Sequence, residues 1–109
     1  MLFRSDVTTV GQLDLQAFRL SIAGPQPPVG LSPALEALWW DAKGDWAKAH
    51  ERAQERDDAS GMRAHAYLHR KEGDQSNADY WYRRCNVVPL ILTLDEEWQE
   101  VARLLLEQV

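Results

Sequence analysis

Gly44-Asp45-Trp46-Ala47-Lys48-Ala49 and Gly73-Asp74-Gln75-Ser76-Asn77-Ala78 are two copies of one punctuation mark, 29 positions apart. Glycine reaches the left-handed conformation that closes a helix, and aspartate accepts hydrogen bonds from the free N–H groups that open the next one. Each mark therefore joins two helices, and the pair predicts two successive helix hairpins. At the same offset Ala37 aligns with Ala66 and Ala49 with Ala78. Small residues in register let paired helices approach closely, and self-similarity over this length is the signature of helical-repeat proteins.

Working outward, Ser32-Pro33 is a strong helix start, because serine caps and proline is preset for the first helical position. That helix runs to Gly44 and is apolar over most of its surface, which predicts a central position. Asp45 opens a second helix with Trp46, Ala49 and Ala53 on one stripe, ending near Asp57-Asp58. A third spans about Ala59 to Glu72, with Met62, Ala66 and His69 inward. A fourth carries Ala78, Trp81, Tyr82 and Cys85 on one face. Val87 to Leu92 is an apolar connector interrupted by Pro89. Thr93-Leu94-Asp95-Glu96 has capping-box spacing and opens a last helix with Trp98, Val101, Ala102 and Leu105 inward. Residues 24–30, Gly-Pro-Gln-Pro-Pro-Val-Gly, form a stiff connector. Before it, Thr8 to Ile22 fits both a helical stripe and a strand alternation, and helix is preferred because every later segment is helical. The expected core includes Trp46, Ala49, Met62, Ala66, Ala78, Trp81 and Tyr82, and of the adjacent pair Trp39-Trp40 the second is placed inward.

The two marks resemble the tetratricopeptide family, whose repeat pairs antiparallel helices across a short turn, often Gly-Asp-aromatic, with a small residue early in the second helix. Gly44 to Ala49 fits that turn closely, and Gly73 to Ala78 fits except for the aromatic. Tyr82 and Cys85 fall on the later aromatic and small positions, Ala37 and Ala66 on the small position of the first helix, and Trp40 on its later aromatic. Ala78-Asp79-Tyr80-Trp81-Tyr82 is also similar to the ending of Sel1-like repeats. The resemblance covers about Leu31 to Asn86. It implies an all-α, right-handed stack of antiparallel hairpins with five to six helices: an N-terminal helix and connector over 1–30, two hairpins over 31–86 and a capping helix over 93–109. Glu36 and His65 stand where the family usually has a large aliphatic residue, and the 29-residue spacing is shorter than the family's ~34.

Composition bounds the function. With 45% apolar and 27% charged residues the chain is globular rather than disordered. A net charge of −5 argues against nucleic acid as a partner. The single cysteine, Cys85, cannot make an internal disulfide and reads as a packed thiol despite Arg83 and Arg84 beside it. No apolar leader is visible in Met1 to Val10, and no run approaches the ~20 residues of a membrane span. A cytoplasmic location is expected.

Two clusters are candidate sites. On the third helix Arg63, Tyr67, Arg70 and Lys71 share one arc, opposite the inward stripe. The family resemblance places them on the concave surface that binds extended peptides, where arginine forks suit carboxylates. They are expected to hold an acidic or C-terminal peptide segment. His65 and His69, at i and i+4, share a helix face with chelating spacing, with His50 on the neighbouring helix and Asp57 and Asp58 as further oxygen donors. Packed, hydrogen-bonded imidazoles are the ordinary alternative, and no resident cofactor or metal is expected. No nucleophile–base set or phosphate loop is visible. The sequence thus points to a non-enzymatic interaction module for a protein or peptide. The rivals are a small metal-binding protein or enzyme centred on His50, His65 and His69, and a structural oligomeric subunit. Leu104-Leu105-Leu106 cannot all face inward, which predicts a weak homodimer through the last helix.

Overall fold

The structure, a computed structural model, describes residues 13–88 and 91–108. Among these there are six α-helices and no strand: α1 (Leu15–Ser21), α2 (Pro33–Ala42), α3 (Trp46–Ala53), α4 (Ala59–Lys71), α5 (Gln75–Arg84) and α6 (Leu94–Leu106). Of the segment Thr8 to Ile22 expected to be helical, positions 8–12 lie outside the described residues, as do residues 89 and 90 of the apolar connector; within the described part the helix opens only at Leu15. None of these helices is long and apolar enough to cross a membrane.

Every helix opens on a side-chain cap. Asp14, Ser32, Asp45, Asp58, Asp74 and Thr93 each accept a hydrogen bond from a first-turn N–H, and Glu96 completes the capping box with Thr93. The two Gly-Asp marks have the same geometry. Gly44 (φ +87°) and Gly73 (φ +92°) both sit in the left-handed region. In each mark the aspartate N–H reaches back five residues, Asp45 to the Trp40 carbonyl and Asp74 to that of His69. Nothing lies within 4 Å of a Cβ built on either glycine, so the requirement is purely one of backbone conformation. α5 ends the same way, with Asn86 (φ +59°) in the glycine position and the Val87 N–H on the Tyr82 carbonyl.

α2 pairs with α3 and α4 with α5 as the two hairpins, while α6 lies against α2 and α4, and α1 against α6. α2 is central as expected, lying against α3, α4 and α6 and meeting α1 through Trp39, and α4 is equally enclosed, by α2, α3, α5 and α6. Residues 64–69 are buried without a break, although Arg63, Arg70 and Lys71 in the same helix made one face look solvated. The main core gathers Phe18, Leu35, Leu38, Trp39, Leu68, Trp98 and Val101, and a smaller cluster holds Ala66, Ala78 and Tyr82. The tryptophan pair is reversed from expectation. Trp39 is fully buried and donates to Ser21 Oγ at 3.1 Å, whereas Trp40 is half-buried beneath the Lys48 ammonium. The difference comes from α1 and α6, which cover the Trp39 side. Ala49, Ala66, Ala78 and Tyr82 are buried as expected; Trp46, Met62 and Trp81 are only half-buried.

Candidate functional site

The basic arc of α4 is paired with acids of its own chain, although Tyr67 and Lys71 also line a cavity of about 340 Å³ with residues of α1, α2 and α6. Tyr67 is buried and donates to Asp41 Oδ2 at 3.2 Å, and Lys71 donates to Asp41 Oδ1 at 2.9 Å. Arg63 and Arg70 both donate to Glu97 of α6, at 2.5 and 2.6 Å, and Tyr82 donates to it at 2.5 Å. Arg70 also caps the Leu92 carbonyl in the lead-in to α6. Burial raises the Glu97 carboxyl pKa, but hydrogen bonds from Arg63, Tyr82 and Arg70 outweigh it and hold the group below its ordinary value. Burial and the neighbouring carboxylates push the phenols of Tyr67 and Tyr82 upward, so both remain donors. The four residues expected to receive an acidic peptide are thus engaged by two buried acids of the same chain. The arginines still bind a carboxylate, but α6 supplies it.

The histidines, by contrast, converge. His65 and His69 lie one turn apart on α4, and α3 runs alongside, bringing His50 between them. His50 Nε2 and His65 Nε2 are 2.8 Å apart, and one ring nitrogen from each of the three histidines lies within 4.8 Å of those of the other two. His65 and His69 are buried and His50 is half-buried. Indoles fix the ring planes. Trp46, one turn before His50 on α3, stacks on it at 4.6 Å, and Trp81 of α5 stacks on His65 at 4.2 Å. His65 therefore lies inside an aromatic row running from Trp46 through His50 and His65 to Trp81.

The protonation chemistry follows from this packing. Burial, with His50 and His69 alongside, drives the His65 pKa down to about 4. Burial and His69 also lower that of His50, with Glu72 pulling the other way. Two Nε2 atoms at 2.8 Å cannot both present lone pairs, so a single N–H is shared between His50 and His65. His69 Nδ1 lies 2.5 Å from Glu72 Oε2, which makes Nδ1 the donor and leaves Nε2 free to ligate. A carboxylate holding the far nitrogen of an imidazole is the usual outer support of a metal-binding histidine.

No protein-family model, curated protein or solved structure matches this chain.

Asp57 and Asp58, named as further donors, do not join the cluster. Asp58 is spent capping α4, and Asp57 is an exposed rim residue facing Arg84. Three functional groups escaped the sequence: Glu72, Asp41 and Glu97. Glu72 stands three residues after His69, a spacing that carries the contact on a helix. Asp41 was conspicuous only as an acid among apolar neighbours, and Glu97 was hidden in a first-turn acidic run that capping already explained.

Proposed function

We propose that this chain is a metal-binding helical domain, with His50, His65 and His69 as three nitrogen ligands for a divalent transition ion such as zinc, carried on two tetratricopeptide-like hairpins. The observation carrying this reading is the convergence of three imidazoles whose nitrogens lie within 4.8 Å of one another, two of them buried. A buried polar group ordinarily has its own partner. Here two ring nitrogens are directed at each other, which leaves a small cation or a proton as the common partner. Tetrahedral zinc with bonds of 2.0–2.1 Å sets its ligand nitrogens about 3.3 Å apart. His50 and His65 would separate by about half an ångström to accept it, releasing the shared proton, and His69, whose nitrogen lies within 4.8 Å of theirs, would close in by up to about 1.5 Å. Their lowered pKa values keep both rings neutral at pH 7, the state a metal requires.

Three protein ligands leave one coordination position open. That is the pattern of sites that exchange ligands or activate water, whereas structural zinc is closed by four protein groups. Imidazole also suits copper, nickel and iron, so competition among metals selects the ion. The test is titration of the metal-free protein with zinc against a chromophoric chelator. Wild type should take up one equivalent, and His65→Phe and His69→Phe should each lose it. Stoichiometric uptake by a variant lacking all three histidines would refute the assignment.

A second reading, an interaction module of tetratricopeptide type, draws support from exposed apolar side chains and not from the basic arc. Val88 and Ile91 project from the connector, and Leu104 leaves the inward stripe of α6 as its run of three leucines required. Val87 and Leu104 line a shallow cavity of about 170 Å³ between α4 and α6. A weak dimer through this edge predicts concentration-dependent sedimentation that Leu104→Glu abolishes.

A further inference from the structure

A cavity of about 350 Å³ adjoins the histidine cluster, between the end of α3, the first half of α4 and α5. It shares His65 with the cluster as a wall. A second link is Gln54, also in the lining, whose amide nitrogen is 3.5 Å from His50 Nε2. Its size falls within the range of small-molecule sites. The walls divide by chemistry. Met62 and Trp81 are apolar, and Arg56 and Arg84 bring two positive charges. The one carboxylate in the lining, Asp57, is largely exposed and meets Arg84 only at 3.7 Å. In a chain of net charge −5 this is a local excess of positive charge beside a metal-ligand cluster.

The spacing of these groups constrains an occupant. The Trp81 ring centroid is 4.2 Å from that of His65 and 5.3 Å from the Arg84 guanidinium carbon. His65 and Arg84 both pack against the Trp81 indole, so an occupant reaching both runs along an apolar surface. An occupant that uses both ends needs an oxygen donor at one end, an anionic group at the other and a short apolar middle. We infer that this cavity takes a short dicarboxylate, one carboxylate filling the open coordination position of the metal and the other pairing with Arg84 and Arg56. This inference rests on the metal reading above, because the first carboxylate is placed by the ion.

Cobalt-loaded full-length protein tests it, with succinate as the probe and propionate as its one-ended counterpart. Cobalt(II) reports its coordination shell through its visible bands, so loading is read first in every protein. Succinate should shift the bands saturably and at lower concentration than propionate. Arg84→Leu, and separately the surface variant Arg56→Leu, should weaken the succinate response about fivefold, as a partly exposed ion pair allows, while propionate titrates as in wild type. Bands that load but ignore succinate would overturn the inference and leave the metal site standing. Equal succinate titration by wild type and both arginine variants would do the same. Failure of cobalt to load in wild type would remove the metal reading and this inference with it.

Discussion

Glu97→Gln keeps the shape of the side chain and removes its charge, and it isolates what fastens α6 to the rest of the protein. The Glu97 side chain is 5% exposed and accepts from Arg63, Arg70 and Tyr82. The glutamine amide retains one acceptor oxygen, so one arginine loses its partner and both lose their counter-charge. Removing one member of a buried ion pair costs roughly 3–5 kcal/mol. The Arg63 and Arg70 side chains are 14% and 25% exposed and recover some hydration, which lowers the expectation to about 2–4 kcal/mol. Against a total stability of roughly 5–15 kcal/mol that is a large share. At about 4–8 °C per kcal/mol it corresponds to a fall in Tm of roughly 8–32 °C. The assay is urea unfolding followed by far-ultraviolet circular dichroism, with Glu100→Gln as the surface control. The effect also has a pH signature. A carboxyl whose pKa is lower in the folded than in the unfolded chain contributes stability in full above the unfolded value, about 4.3, and loses it as pH falls through the folded value. Wild type should therefore lose more stability than Glu97→Gln on acidification below about pH 4.5, and the two curves should converge. A Glu97→Gln midpoint within error of Glu100→Gln at pH 7 would refute the reasoning, because it would mean that α6 is held by apolar contact alone.

The histidine cluster should make the metal-free protein acid-sensitive by the same linkage in a higher pH window: His65 binds a proton less readily folded than unfolded, so stability falls from about pH 6.5 to about pH 4, by at most ~3 kcal/mol, and His65→Phe should flatten that limb of the unfolding curve. Gly44→Ala and Gly73→Ala should cost about 1–2 kcal/mol each and by the same amount, since both place a Cβ in the left-handed region without a steric clash; unequal losses in thermal unfolding would show that the two turns are not equivalent. Ala49→Leu and Ala78→Leu should each cost about 1–3 kcal/mol by overpacking a fully buried helix crossing, and unchanged melting of both would show that the helices do not meet there.

Features encoded locally were legible before any coordinates. Glycine beside aspartate, Ser32-Pro33 and the Thr93–Glu96 box act within one turn of the chain, and each helix begins where its cap stands. Features that depend on distant pairing were not legible. Arg63 and Arg70 looked like a solvated or ligand-facing arc because their partner, Glu97, lies 34 and 27 residues away. Trp39 and Trp40 were exchanged for the same reason, because α1 and α6 decide which indole is covered. The site was half legible. The i, i+4 spacing places His65 and His69 together on any helix, and the hairpin order brings α3 alongside. The mutual approach of His50 and His65 depends on the packing of α3 against α4, and Trp81 arrives from α5, which no local pattern announces.

The stacking of Trp46 on His50 and of Trp81 on His65 gives the cluster an optical signal of its own. An imidazolium in contact with an indole quenches its emission, whereas a neutral imidazole does so weakly. A paramagnetic ion held by the same rings quenches both indoles, and a closed-shell ion such as zinc does not. Trp39 and Trp98 lie in the main core, where Trp39 donates to Ser21 and Trp98 to the Leu38 carbonyl, and they supply a blue-shifted background that does not follow the site. Intrinsic fluorescence would therefore distinguish protonation, or a paramagnetic form of the proposed ion, from the neutral cluster without a label, and Trp46→Phe or Trp81→Phe would assign each response to one end of the row.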